Sequence, residues 1–268
     1  MTLPFLDHLR RESDRFLDLL AEADPSARVP SCPEWSAADL LWHLAEVQWF
    51  WATIVEERRS SPDGLEHPPR PTDRDALLTF AAQQTDRLLR VLTETSPDTE
   101  VFMWAEDKTV GYIRRRQAHE ALIHRLDAEL TVGDVTPLDA DLAADGVDEC
   151  LAIMYGGIPE GWGTFTPAVA PVRFHLTDRP DADRVVRSGR FVGTDPDSGT
   201  SYDEDALDLV GSEGSGGSGG SEAAATITGT ADDVDAWIWH RRGNDVLTFD
   251  GDTAALDAVR AVLRRPLT

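Results

Sequence analysis

The sequence predicts two parts, a bundle of amphipathic helices followed by a small α+β domain. Three observations carry this reading. Up to about Met154, apolar residues recur at helical spacing. After Tyr155-Gly156-Gly157 the pattern changes to short runs that alternate apolar and polar residues, as half-buried strands do. The chain has 268 residues, enough for two ordinary domains. A boundary near residues 157–168 is expected, with the helical domain over 1–160 and the α+β domain over 168–268.

Leu6, Leu9, Phe16, Leu17 and Leu20 mark a first helix that ends near Pro25. A turn pinned by Pro30 and Pro33 follows, from Val29 to Trp35. Ser36, with Asp39 three residues on, forms a capping-box start for a second helix running to about Glu57. Trp49 falls on the apolar face of that helix, whereas Trp42 and Trp51 fall where they can line a crevice. A polar loop, Ser60 to Pro71, leads to Thr72, the expected cap of a third helix from about Asp73 to Leu92. A fourth helix is expected from Val110 to Leu130, and a fifth from Asp139 to Met154, just after Pro137. Four long helices of this kind make a bundle, whose interior is where facing side chains build metal sites.

In the second part, Val172–Thr177, Arg184–Val192 and Ala224–Thr228 read as strands. The run GSEGSGGSGGSE, Gly211 to Glu222, has the composition of a flexible loop tip. The chain closes with a helix near Asp232 to Trp239, a short strand from Val246 to Phe249 and a helix from Thr253 to Leu263. Trp237 and Trp239 are expected to anchor this domain.

Composition narrows the function. A hydrophobic content of 41% supports packed cores. A formal charge of −24 repels nucleic acid and anionic membrane, so neither is an expected partner. No stretch is long and apolar enough to span a membrane, and the mixed-charge start has no signal-peptide pattern, so a cytoplasmic location is expected. Arginine supplies nearly all the positive charge, Lys108 being the one lysine. Cys32 and Cys150 match no paired zinc or redox spacing. Cys32, between Ser31 and Pro33, is either a reactive thiol or a small buried filler.

The most informative segment is RRRQAHEALIHRLDAE, which holds His119, Glu120 and His124. Glu120 and His124 are four residues apart, so a helix points both side chains the same way. A carboxylate and an imidazole so placed can grip one divalent cation, with a third ligand from a neighbouring helix. His43 is the candidate. It stands beside the apolar residues Leu40, Leu41, Leu44 and Val47, as either an inward-facing ligand or a satisfied core histidine. His119 is offset from Glu120 by about 100° and reads as a packing or ligand-orienting residue, and as the runner-up ligand. Asp127 could accept a hydrogen bond from a ligand imidazole. Of Arg114, Arg115 and Arg116, at most one or two can face the cluster, and surface pairing with nearby acids is the plainer role.

The segments CPEWSAADLLWHL, RRRQAHEALIHRLDAE, ADLAADGVDECL and TGTADDVDAWIWHRRGNDVLTFDGD, taken as a set and in this order, resemble the mycothiol-dependent maleylpyruvate isomerase family. The resemblance covers nearly the whole chain. It implies a DinB-like four-helix N-terminal domain, a smaller C-terminal α+β domain, and a divalent metal, zinc in the isomerase, held by His43, Glu120 and His124. It also implies a cofactor, mycothiol or another low-molecular-weight thiol. Three protein ligands leave one position of a tetrahedral metal open, and a thiol bound there is deprotonated near neutral pH. Its thiolate would add to an electron-poor double bond, permit rotation and leave again, giving cis–trans isomerisation. Without the elimination, the same chemistry is S-transfer.

A small electrophilic or acidic substrate needs a cation. The family's C-terminal arginine, in a Trp-x-x-Gly-Arg-like context, corresponds to Arg241 in Trp237-Ile238-Trp239-His240-Arg241. Here His240 stands where glycine is usual. Arg241 has a plainer reading too, as a surface cation at a helix C-terminus. Two other functions stay open: a metal-dependent hydrolase using metal-bound water, and a non-catalytic, metal-stabilised small-molecule-binding protein. The chain is expected to act as a monomer or homodimer.

Overall fold

Residues Phe5–Glu22 form helix α1 in a computed structural model that describes residues 3–158, 161–196, 198–210 and 223–265. The Gly/Ser run Gly211–Glu222 lies outside the described residues. Leu9, Phe16 and Leu20 of α1 are buried, at the helical spacing read from the sequence. A hairpin follows, β1 (Arg28–Val29) and β2 (Cys32–Ser36), where the sequence promised only a proline-pinned turn. Pro30 occupies the first central position of its two-residue tip, a position its fixed φ suits.

Helix α2 (Ala37–Glu56) opens on the expected capping box, formed by Ser36 and Asp39. Helix α3 (Arg74–Glu94) is capped by Asp73, not Thr72. The carboxylate of Asp73 accepts from Ala76 N at 2.9 Å. Helix α4 (Val110–Val132) is capped by Thr109 and stopped by Gly133, whose φ of 77° suits a residue without Cβ. In this bundle α1 packs on α4 and α3, and α2 packs on α3 and α4. The tryptophans of α2 sort differently from expectation. Trp51 is buried against Phe50 and Phe102, whereas Trp49 is half-buried beside His67. Phe102 comes from the α3–α4 connection, which helical periodicity in α2 cannot register.

The expected boundary near 157–168 is corrected by the structure. The chain forms two compact units, residues 1–138 and 139–268. Helix α5 (Ala140–Glu149), with the π-helical turn Cys150–Met154 behind it, belongs to the second unit because it packs on α6 (Ala231–Ile238). At that contact Gly146 lies against the Asp235 carboxylate, where an added Cβ would stand 2.9 Å from an oxygen.

The second unit is built on a six-stranded mixed sheet. Its strands are β3 (Gly163–Pro167), β4 (Val172–Leu176), β5 (Arg184–Thr194), β6 (Ser201–Leu209), β7 (Ala225–Gly229) and β8 (Thr248–Gly251). β5 pairs along one edge with β6, and along the other with β4 near its start and β3 further on. β4 and β7 are parallel, and β8 closes the far side antiparallel to β7. Val172, Phe174 and Leu176 alternate inward, and Leu256, Val259 and Leu263 of α7 (Thr253–Leu263) are buried with them. The sequence reading missed β3 and β6. Among the described residues, no helix is long and apolar enough to cross a membrane.

Candidate metal centre

From Arg116 to Glu129 every residue of α4 is buried except Glu120, which is half-buried. Around that opening three side chains gather. His124 Nε2 stands 3.2 Å from Glu120 Oε1, and His43 Nε2, reaching across from α2, stands 3.5 Å from the same oxygen. One potential donor atom from each of the three residues lies within 4.8 Å of the others. The His43 and His124 rings meet edge to face at 4.8 Å. The third expected ligand therefore faces the centre, with 33% of the His43 side chain still exposed. His119 does not join them. It is buried with its ring edge-on to Phe5, 6.2 Å away.

The electrostatics follow from these contacts. Burial opposes ionisation of Glu120, but hydrogen bonds from His124 and His43, aided by Arg116, outweigh it and hold the carboxyl well below its usual range. Arg116 Nη2 donates to Glu120 Oε2 at 3.2 Å, so the two oxygens have separate partners. Burial likewise works against a charged His124, yet its bonds to Asp127 and Glu120 prevail and raise it to about 9. Asp127 Oδ2 lies 2.9 Å from His124 Nδ1, the contact its spacing allowed. Arg114 is elsewhere, donating to the Leu92 and Thr95 carbonyls that end α3.

Two residues that sequence reasoning passed over contribute from the hairpin. The Trp35 ring lies 4.7 Å from His43 and 6.3 Å from His124. The Ser31 hydroxyl donates to Asp127 Oδ1 at 2.5 Å. The one signal for either was their place in a segment stiffened by Pro30 and Pro33. Cys32 is half-buried on β2, and Cys150 is fully buried in the second unit.

The donor set fits a divalent cation of the zinc type. Two imidazoles and a carboxylate are its common ligands. One imidazole has its other nitrogen on a carboxylate, the arrangement that fixes a ligating tautomer.

Arg241 lies in the second unit, just past α6. His240 has a φ of 61°, the left-handed conformation that glycine adopts without cost. His240 N bonds Trp237 O, and Arg241 N bonds Ala236 O. These are the two bonds of a Schellman cap. The substitution of histidine for the usual glycine thus leaves the turn intact, with His240 Nε2 held 2.8 Å from Leu263 O. Arg242 is committed to Asp232 and Asp233. Arg241 Nη1 bonds the Trp239 carbonyl. Trp237 is buried and donates to Asn244, anchoring the unit as expected.

A family model described as the mycothiol maleylpyruvate isomerase N-terminal domain matches residues 6–129. A second, the MDMPI C-terminal domain, matches residues 141–258. A crystal structure of the mycothiol-dependent maleylpyruvate isomerase is similar over 95% of this chain and 98% of its own, at 15% identity and a TM-score of 0.53. The structure of a histidine-to-alanine mutant of that isomerase covers the same shares at 14% identity and the same TM-score. At such identity the likeness is one of fold. No curated protein sequence matches the chain. With both domain models matched in order across its length, the chain belongs to the mycothiol-dependent maleylpyruvate isomerase family.

Proposed function

We propose that this chain is a metal-dependent isomerase that works with a low-molecular-weight thiol, mycothiol by its family, on a small electrophilic acid. His43, Glu120 and His124 hold the metal, zinc by the character of the donors. The observation that most supports this is convergence. Nitrogens from two helices approach one carboxylate oxygen at 3.2 and 3.5 Å, at the half-open position of an otherwise buried stretch. When bound, a divalent cation supplies a Lewis-acid position that keeps a thiol ionised near neutral pH.

The chain's own residues prepare the rest. Glu120 stays anionic because His124, His43 and Arg116 surround it. Arg116 keeps the second oxygen from turning toward the imidazoles. The Trp35 ring lies against those of His43 and His124, at 4.7 and 6.3 Å. Arg241 is the cation for a substrate carboxylate, a role supported by its family motif and by the retained turn at His240.

The test is turnover of maleylpyruvate, beside a panel of electrophilic acids, by metal-loaded protein with and without added thiol. Isomer formed only with thiol supports the reading, and accumulation of a thiol adduct makes the reaction S-transfer. Turnover without thiol favours a hydrolase. Metal bound with no turnover leaves a metal-stabilised binding protein. Arg241→Ala should lower kcat/KM by about 10- to 100-fold, the worth of a charged hydrogen bond, while leaving metal content unchanged.

A further inference from the structure

The hairpin ahead of α2 touches the centre at a point that the donor set itself does not explain. Asp127 is completely buried, and its two oxygens face two different elements. Oδ2 lies 2.9 Å from His124 Nδ1 on its own helix, and Oδ1 receives the Ser31 hydroxyl at 2.5 Å from a residue 96 positions away. A carboxylate gripped at both oxygens cannot rotate about its terminal bond. The imidazole it holds is then fixed in plane, and the neutral ring that a metal requires would keep its one proton on Nδ1, facing Asp127, with Nε2 turned to Glu120.

Ser31 is itself held rigidly. It sits at the tip of the hairpin, between the paired residues Val29 and Cys32. Val29 is fully buried in the bundle core, and Pro30 fixes the backbone immediately before the serine. The Trp35 ring, from the same hairpin, packs on both ligand imidazoles.

We propose that Ser31 and Asp127 act as one positioning unit for the metal centre, in which the hairpin hydroxyl holds the carboxylate and the carboxylate aims His124 Nε2 at the shared cation. This rests on the reading of His43, Glu120 and His124 as metal ligands. It makes Ser31 a determinant of metal affinity although it touches no ligand.

The experiment uses the full chain, stripped of metal and titrated with zinc against a chromophoric chelator, then with cobalt(II) to read its visible absorption. Asp127→Ala should weaken zinc binding by about 10- to 100-fold, and Ser31→Ala by less. Ser31→Thr, which keeps the hydroxyl, should restore affinity. Added to Asp127→Ala, the serine substitution should have no further effect, because it acts through the carboxylate. The cobalt spectrum should shift in both single variants, a change that a merely structural role would not produce. Variants that bind zinc as the wild type does, or losses that add in the double variant, overturn the proposal. A wild-type protein that takes up no metal removes the centre and the positioning unit together, whereas unchanged variants of a metal-binding wild type remove the positioning unit alone. If Asp127→Ala does not fold, the Ser31→Ala and Ser31→Thr pair decides the matter.

Discussion

Helix α4 carries two buried polar clusters, and they are built on different rules. Around Arg125 the charges answer one another. Its guanidinium donates to Glu12 at 2.8 Å, to Glu129 at 2.8 Å and to Thr136, while Thr136 and Arg15 supply further donors to Glu129. Around Glu120 the groups converge instead, two imidazole nitrogens on one carboxylate oxygen, with a second carboxylate behind one ring. The first cluster is complete as an ion-pair network, and the second is shaped for something placed between its members. Burial and charge are common to both. Convergence of potential ligand atoms from three residues, within 4.8 Å of one another, is what separates a structural network from a candidate site.

Removing a donor should produce the largest effect and shows most clearly whether this distinction holds. Glu120→Gln or His124→Ala should weaken zinc binding by more than the about 100-fold that outer partners cost, and should abolish turnover. Metal content by atomic absorption, alongside the melting of the metal-free protein, checks it. Full metal occupancy in both variants would make the cluster an ordinary polar contact.

Arg125→Met should do the reverse. It takes away the buried cation that Glu12 and Glu129 share and leaves them only the more exposed Arg11 and Arg15, so stability should fall by about 3 kcal/mol, the low end for breaking a buried pair. The zinc affinity of the folded protein should not change. Denaturant unfolding and a zinc titration on the same sample test both halves. A loss of affinity as large as that of His124→Ala would merge the two clusters into one.

The pH response of the metal-free protein sharpens the comparison further. His124 is raised to about 9 when folded, against about 6.5 unfolded. Its contribution is therefore fully present below about pH 6.5 and is lost as pH rises through about 9, about 3 kcal/mol in all. Bound metal needs that imidazole neutral, so in the loaded protein this loss should disappear. Urea unfolding from pH 6 to 10, with and without zinc, reads the difference. A metal-free protein whose stability is flat across that range would place the proton elsewhere.

What could be read in advance depended on how local each feature is. The apolar spacing of α1, the Ser36–Asp39 box and the Glu120–His124 pair all lie within one or two turns, and each is formed. The resemblance supplied His43 as a ligand, which spacing alone left as a possible core histidine. Ser31 was invisible because its partner is 96 residues away. Strand β6, Ser201–Leu209, was hidden by its acids, which are poor strand formers. They are tolerated because Arg187 and Arg190 on β5 meet Asp208, Asp203 and Asp205 across the ladder. The boundary was misjudged because only tertiary packing on α6 assigns α5 to the second unit.

The smallest effect concerns how α2 carries His43 to the centre. Ser36 Oγ accepts from Asp39 N at 3.2 Å, and Asp39 Oδ2 accepts from Ser36 N at 2.9 Å and from its hydroxyl at 2.6 Å. These bonds, with one from Arg70, hold Asp39 down at about 2. Their contribution is present above the ordinary pKa of Asp, about 3.9, and is lost as pH falls through about 2. Because Asp39 and Arg70 are both well exposed, solvent screening keeps the ionic part small. Ser36→Ala should cost about 1 kcal/mol near neutral pH, the usual worth of an N-cap, and the gap to wild type should narrow on acidification. His43 lies about two turns further along the helix, beyond the reach of a frayed first turn. Zinc affinity should therefore match wild type. An affinity that fell along with stability would mean that the helix start, and not only its packing on α4, sets where His43 points.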